Sequence, residues 1–250
     1  MNVLITGATG GIGAALALEY AAPGQVLMLQ GRRAEILADL ARQCRDRGAQ
    51  VLTAAFDLRD ETALRGWIAQ ADADHPLDLL IVNAGLNTDT GPDRHGESWP
   101  QSRAVIDVNL IAAMVTVDAA LPGMRRRGRG QLALVSSLAA YFGLPVTPSY
   151  CASKAGLKAY GEALRGWLAP EGLRVNVVMP GYVDSAMMRA MPGPKPFRLS
   201  ADQAARRIRC GLSANAARIS FPFPLNFGTW WLAVLPARLS GWIVARLGYR

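Results

Sequence analysis

The sequence has few cysteines, almost no histidine, and no acidic residue beyond Asp202. Its three cysteines, Cys44, Cys151 and Cys210, stand far apart and form no CxxC pair. That spacing excludes a disulfide framework and a zinc site, and predicts reduced thiols. The two histidines, His75 and His95, are isolated in polar stretches near proline or glycine, so both are expected in surface loops. No metal site follows. The start lacks a charged region leading into an apolar one, because Met1 to Gly13 reads as a strand entering a turn. A cytoplasmic protein is expected, and a peripheral position at the inner membrane surface stays open.

A membrane-spanning run is also missing. From Ile219 to Ala237 no residue carries charge, but Pro222, Pro224 and Pro236, with Asn226 and Gly228, interrupt the stretch. A span needs about 20 mostly apolar residues in one helix. The net charge of +8 at first suggests nucleic acid, yet residues 203–250 hold seven arginines, no lysine and no acid. The remaining 27 − 7 = 20 basic groups nearly balance the 19 acids, all of which lie in residues 1–202. With no aromatics interleaving the basic cluster Arg125 to Arg129, that cluster reads as a solvated loop and nucleic-acid binding is not expected.

What is present is an α/β pattern. Short apolar runs, Asn2 to Thr6, Val26 to Gln30, Val51 to Phe56, Leu77 to Val82, Gln131 to Ser136 and Arg174 to Val178, alternate with helical stretches such as Ala34 to Arg47 and Ser102 to Arg126. This predicts a doubly wound parallel sheet, a Rossmann fold, with helices on both faces and ligands beyond the carboxyl ends of the strands. The 250 residues, 51% of them hydrophobic, suffice for one domain that buries about three quarters of its unfolded surface. Within residues 1–250, the motifs end by Ser185, and residues 203–250 read as a basic, aromatic C-terminal extension.

After the first strand comes Thr6-Gly7-Ala8-Thr9-Gly10-Gly11-Ile12-Gly13, followed by the helical run Ala14 to Ala21. Glycines there permit a tight turn and close approach to a pyrophosphate, which the helix N-terminus attracts with free N–H groups. Further on, Tyr150-Cys151-Ala152-Ser153-Lys154 places Tyr150 and Lys154 at i and i+4, neighbours on one helical face. An adjacent ammonium favours a phenolate, bringing a phenol of ordinary pKa about 10 nearer the range useful for proton transfer.

Together these segments resemble the short-chain dehydrogenase/reductase family over most of the chain. The TGxxxGIG form of the turn begins the likeness, and Val82-Asn83-Ala84-Gly85 resembles the family's NNAG with Val82 in place of the first Asn. Phe56-Asp57-Leu58 resembles the adenine-contacting segment, with Asp57 as the contact. Pro180-Gly181-Tyr182-Val183-Asp184-Ser185 resembles the PGxVxT loop that holds the nicotinamide carboxamide, Ser185 retaining the hydroxyl. Ser137, within Ser136-Ser137-Leu138-Ala139, matches the catalytic serine better than Ser136 does, and Asn109 matches the asparagine of a water-mediated proton relay. Its plainer reading is a helix-capping or polar core residue. The resemblance implies Asn109, Ser137, Tyr150 and Lys154 as the catalytic set, with Lys154 also bonding the nicotinamide ribose. It implies cofactor contacts by Thr6, Gly7, Thr9, Gly11, Ile12, Gly13, Asp57, Leu58, Asn83, Ala84, Gly85, Pro180, Gly181, Val183 and Ser185.

Charge at the end of the second strand bears on cofactor choice. An acid there would bond the ribose 2′-hydroxyl of NAD, whereas Gln30-Gly31-Arg32-Arg33 offers guanidinium groups suited to a 2′-phosphate. NADP(H) is the expectation, with Arg32 the stronger contact and Arg33 the second, and NAD(H) stays open. The basic residue that some NADP-dependent relatives carry inside the glycine turn is absent.

The implied activity is hydride transfer between nicotinamide and a carbonyl or alcohol. Leu86, Trp99, Leu138, Tyr182, Met187 and Met188 follow the motifs and are expected around an apolar substrate, with Leu86 to Pro100 and Ser185 to Leu199 as mobile covers. Residues 219–250 are read as packing on the core, covering the cleft, joining a subunit or meeting a membrane. A homodimer or homotetramer is expected. A non-catalytic NADP(H) sensor or scaffold and a membrane-surface assembly protein are the alternatives.

Overall fold

The computed structural model describes residues 1–91, 93 and 95–249. Pro92 and Arg94, in the first expected cover, and Arg250, in the basic C-terminus, lie outside the described residues. The chain begins β1 (Asn2–Ile5), α1 (Gly11–Tyr20), β2 (Val26–Gln30), α2 (Ala34–Asp46), β3 (Gln50–Ala54), α3 (Glu61–Asp74) and β4 (Leu79–Val82). Next, α4 (Trp99–Ile106) passes through a π-helical turn, Asp107–Ile111, into α5 (Ala112–Arg127), followed by β5 (Gly130–Val135), α6 (Pro148–Leu168) and β6 (Leu173–Pro180). The last part holds α7 (Ala186–Ala190), α8 (Ala201–Ser213), β7 (Arg218–Phe221), α9 (Leu225–Val234) and α10 (Ala237–Arg246).

The seven strands are all parallel, in the order β3-β2-β1-β4-β5-β6-β7. Their side chains alternate between two cores, as the two-residue period of a strand requires. Val3, Ile5, Leu27, Leu29, Leu79 and Ile81 face α1, α2 and α8, while Leu4, Met28, Leu80, Val82, Leu132 and Leu134 face α3, α5 and α6. Each such buried Val, Ile or Leu contributes about 1.5–3 kcal/mol, and with both faces covered the strands read as continuous apolar runs. The chain reverses its order of strands between β1 and β4, so a crevice opens at their carboxyl ends.

Local signals set the helix ends. Asp60 accepts from the Ala63 N–H (3.0 Å) to cap α3, Ser200 and Gln203 form a reciprocal capping box on α8, and Gly128 (φ 61°) ends α5 in the left-handed region. The helical run Trp99–Arg127 is long and apolar enough by composition to cross a membrane, but half of its apolar window is buried in the fold.

Two sequence expectations need correction. Arg125 to Arg127 are not in a loop: they form the last turn of α5, where Arg125 pairs with Glu171 (2.6 Å) and Arg127 forks onto the buried Asp72 (2.6 and 2.8 Å). Glycine at 123 makes room for this pair, since a Cβ there would lie 1.8 Å from Asp72 Oδ2. The stretch read as an extension also contains α8, which packs on α1, and β7, the seventh strand of the sheet. Four residues with a polar Ser220 among them, flanked by Pro222, give too short an alternation to announce a strand.

Candidate active site

At the switch point the glycine turn is welded to the end of β4. Thr6 Oγ1 accepts from the N–H groups of Asn83 (3.1 Å) and Ala84 (3.3 Å), while Asn83 Nδ2 donates to the carbonyls of Thr6 and Gly7 (both 3.1 Å). Gly7, at φ 65°, lies so close to Ala84 that a Cβ would come within 2.6 Å of its Cα. Gln30, which sequence reasoning used only for its lack of charge, completes the joint: its Oε1 accepts from Gly7 N–H (3.1 Å) and its Nε2 donates to the Phe56 carbonyl (2.7 Å). Helix α1 starts at Gly11, earlier than the expected Ala14, so its free N–H groups rise directly from the turn.

A cavity of about 1260 Å³ runs along this edge of the sheet. Gly7, Thr9, Gly11, Ile12 and Gly13 line it at one end with Arg32, Arg33, Asp57 and Leu58; Asn83, Ala84 and Gly85 follow. Beyond them come Ser137, Leu138, Tyr150, Lys154, Pro180, Gly181, Tyr182, Val183, Ser185, Met187 and Met188. Thus all of the residues expected at the site except Thr6, Asn109 and Trp99 share one space. Thr6 is fully buried and acts through its hydrogen bonds to Asn83 and Ala84; Asn109 is likewise fully buried behind Gly85. Trp99, by contrast, stands at the start of α4, 74% exposed and away from the cavity, whereas Leu86 lines it.

The guanidinium groups at the first end are differently engaged. Arg33 donates to the Thr9 carbonyl, tying β2 to the glycine turn, whereas Arg32 reaches only to within 3.8 Å of Asp57. Arg59 forks onto Asp57 (2.7 and 3.1 Å), and these hydrogen bonds hold its carboxyl down to about 2. Asp57 is therefore an ionised, paired carboxylate, leaving Arg32 the less committed cation.

At the other end, α6 carries Tyr150 and Lys154 on one face. Ser136 is buried and donates to the Lys154 carbonyl (2.7 Å), so it braces the helix; Ser137, just past β5, lines the same space as the Tyr150 hydroxyl. Lys154 is 3% exposed, donates to the Val135 carbonyl (2.8 Å) and has Nζ 5.8 Å from the Tyr150 ring centroid. Burial pushes this ammonium down to about 8 and the Tyr150 phenol up to about 12, against the opposing hydrogen bond from Ser137. The expected lowering of the phenol is thus reversed here, because desolvation penalises the anion and the ammonium is directed at a backbone carbonyl.

Asn109 sits in the π-helical turn. Its Oδ1 accepts from Leu86 N–H (2.7 Å), and its Nδ2 donates to the Leu86 carbonyl (2.9 Å) and Ser153 Oγ (3.0 Å), joining the segment after β4 to α6. Cys151 is buried and accepts from Leu144 N–H (3.2 Å), in keeping with a packing role.

Covering the cleft was one of the readings left open for residues 219–250, and α9 and α10 build the far wall of the cavity with Leu225, Thr229, Leu232 and Val244, none of which the sequence singled out. Nearby, Tyr249 Oη meets Tyr182 Oη (2.5 Å) and donates to the Pro194 carbonyl (2.5 Å), fastening the C-terminus to the segment after β6. The second expected cover, Ser185 to Leu199, contains α7, capped by Ser185 accepting from Met188 N–H (3.1 Å).

The glycine cradle fits a dinucleotide. Cβ atoms at Gly11 and Gly13 would lie 2.9 Å from the Ser185 Cβ and 2.4 Å from the Gly7 carbonyl oxygen, so glycine alone lets the turn and the start of α1 pack this closely, and Gly11, Ile12 and Gly13 line the cavity at the helix N-terminus, where a pyrophosphate would be held. The short chain dehydrogenase family profile matches residues 1–194. An uncharacterized oxidoreductase of Myxococcus xanthus is 36% identical over 98% of this chain and 97% of its own length. The chain belongs to the short-chain dehydrogenase/reductase family and is an oxidoreductase of that family, whose cofactor is a nicotinamide dinucleotide and whose substrates are small molecules. Among solved structures, a short-chain dehydrogenase from Sphingobium yanoikuyae in complex with NADPH is 25% identical with a TM-score of 0.81, covering 99% of this chain and 94% of that one. A short-chain dehydrogenase from Mycobacterium paratuberculosis bound to NAD, 23% identical with a TM-score of 0.77, covers 88% and 94% and shares the fold.

Proposed function

We propose that the protein is an NADPH-dependent reductase of apolar, lipid-like carbonyl compounds. The observation that carries this reading is the wall beside Ser137 and Tyr150: Leu138, Phe142, Leu144, Leu225, Leu232 and Val244 offer a substrate no charge. Arg189 and Asp184, the charged residues on that side, are paired with each other (2.6 Å). A space of about 1260 Å³ exceeds the roughly 300–1,000 Å³ of ordinary ligand sites, leaving room for a second ligand beside a dinucleotide.

The cofactor supplies the hydride. The chain's own part is to bind and to move a proton. Ser137 and Tyr150 hydroxyls donate to the carbonyl oxygen, where negative charge grows, and fixed donors of this kind are each worth about 3 kcal/mol. Tyr150 Oη then gives up its proton to that oxygen. A phenol held near 12 is protonated at neutral pH, which suits reduction, while alcohol oxidation requires it to be ionised first. Lys154 is the residue that would hold the ribose, its Nζ lying beside Gly85, where a Cβ would come within 3.4 Å of it. Preference for NADPH rests on Arg32 and on the absence of an acid at Gln30-Gly31-Arg32-Arg33.

NADPH consumption measured against straight-chain aldehydes and ketones of rising length, beside short charged ones, tests the reading. kcat/KM should climb with chain length, and turnover confined to charged carbonyls would refute it.

A further inference from the structure

Helix α9 is apolar on both sides. Leu225, Thr229 and Leu232 turn toward the cavity, whereas Phe227, Trp230, Trp231 and Val234, spaced i, i+3, i+4, i+7, are 52%, 39%, 43% and 54% exposed. A helix on the surface of a soluble domain ordinarily puts polar residues on its outer side. Here the outer side holds an aromatic cluster, with ring centroids 5.4 Å apart for Trp230 and Trp231 and 6.0 Å from each to Phe227. On α10, Leu239 and Trp242 are also exposed (43% and 57%). The Arg246 guanidinium lies 5.1 Å over the Trp242 ring.

Charge decides between occupants of this surface. Arg238 and Arg246 are the charged residues of the two helices, and no acid follows Asp202 in the sequence. A two-fold contact between copies through this hairpin would set arginines against arginines with no carboxylate of the hairpin to offset them. An anionic lipid surface supplies what the hairpin lacks: phosphates for the arginines and an interfacial layer in which Trp and Phe rings are at home.

We propose that the α9–α10 hairpin docks on an anionic bilayer, with Phe227, Trp230, Trp231 and Trp242 at the level of the headgroups and Arg238 and Arg246 on lipid phosphates. Leu247, 57% exposed, belongs to both the cavity lining and this end of the molecule, so the cavity opens beside the docked hairpin. An apolar carbonyl then enters from the bilayer; this consequence rests on the substrate class proposed above, while docking does not.

Cosedimentation of the intact protein with vesicles tests the docking. Vesicles of phosphatidylcholine containing phosphatidylglycerol should bind at least about 10-fold more tightly than phosphatidylcholine alone, and raised salt should weaken binding because it screens the arginines. Two double variants, Trp230→Ser with Trp231→Ser, and Arg238→Gln with Arg246→Gln, should each lose about 10-fold or more in vesicle affinity. None of these four residues lines the cavity, so turnover of a small water-soluble carbonyl should stay within about two-fold. Should the variants fold poorly, the comparison of the two vesicle types with the intact protein still decides. Equal indifference to both vesicle types at low salt overturns the proposal, as does a tryptophan double variant that dissociates an oligomer without changing vesicle affinity, which assigns the surface to a second copy. Vesicle binding without reduction of a bilayer-borne carbonyl upholds docking and refutes the lipid-like substrate.

Discussion

Lys154 Nζ lies 5.8 Å from the centroid of the Tyr150 ring, but its hydrogen bond goes to the Val135 carbonyl at 2.8 Å. The ammonium is nearly sealed from water, and burial depresses it to about 8. The sign of its effect on stability follows from proton counts. An unfolded lysine titrates at about 10.4, so between the two values the unfolded chain binds more protons, and stability rises with pH there. Below about 8 the cost of burying the ammonium is fully present. Lys154→Met should therefore remove this rise, so urea denaturation of the variant and the native protein from neutral pH to about 10 should give curves of different slope. Parallel curves would show that Lys154 is not depressed. The same variant should bind NADPH at least about 10-fold more weakly if Nζ holds the ribose.

Arg32→Ala tests cofactor preference. The guanidinium is more than half exposed and only loosely near Asp57, at 3.8 Å, so little structure depends on it. Its loss should weaken NADPH by about 10-fold or more, the worth of one charge-assisted hydrogen bond, and leave NADH nearly unchanged. Titration of each cofactor checks this, and equal losses for both would remove Arg32 from the 2′-phosphate. Arg33→Ala should weaken both cofactors together, because Arg33 holds the Thr9 carbonyl of the turn they share.

The Asp72–Arg127 pair is a folding prediction away from the site. Burial pushes the Asp72 carboxyl up, but hydrogen bonds from Arg127 and the Leu77 N–H outweigh it and the net shift is downward. Its contribution is complete above the unfolded carboxyl value of about 3.9 and is lost as pH falls through the lower folded value. Asp72→Asn should cost on the order of 3 kcal/mol at neutral pH by leaving Arg127 without its anion. Urea midpoints should show that loss with an unchanged slope, and the difference should shrink in acid. A midpoint at neutral pH equal to that of the native chain would contradict the account.

The extent to which the sequence announced all this differs by region. The first six strands were legible because both faces of the sheet are covered, so each strand is a short apolar block, and the glycine turn and Tyr150 to Lys154 spacing were legible because backbone and helix geometry demand them. Asn109 was legible as a position, while its hydrogen bonds to Leu86 and Ser153 were not, since partners 23 and 44 residues away leave no local trace. The direction of the Tyr150 shift was misread because i, i+4 spacing tells of proximity and not of desolvation. Trp99 was assigned to the site by its place in the chain, yet the helix it begins points that ring at solvent. The hairpin that closes the cavity gave only an uncharged aromatic run, whose inner and outer sides become distinct once β7 fixes where α9 begins.

The proposed reaction turns on Tyr150 supplying the proton to the carbonyl oxygen. Tyr150→Phe keeps the ring and its packing and removes only the hydroxyl, so the decisive measurement is kcat for an apolar ketone beside NADPH affinity in the same variant. We predict a fall of at least about 100-fold in kcat, within the roughly 10²–10⁴ typical of general acid catalysis, with NADPH affinity within a few-fold of the native value. Near-native kcat, with NADPH still bound, would contradict the account.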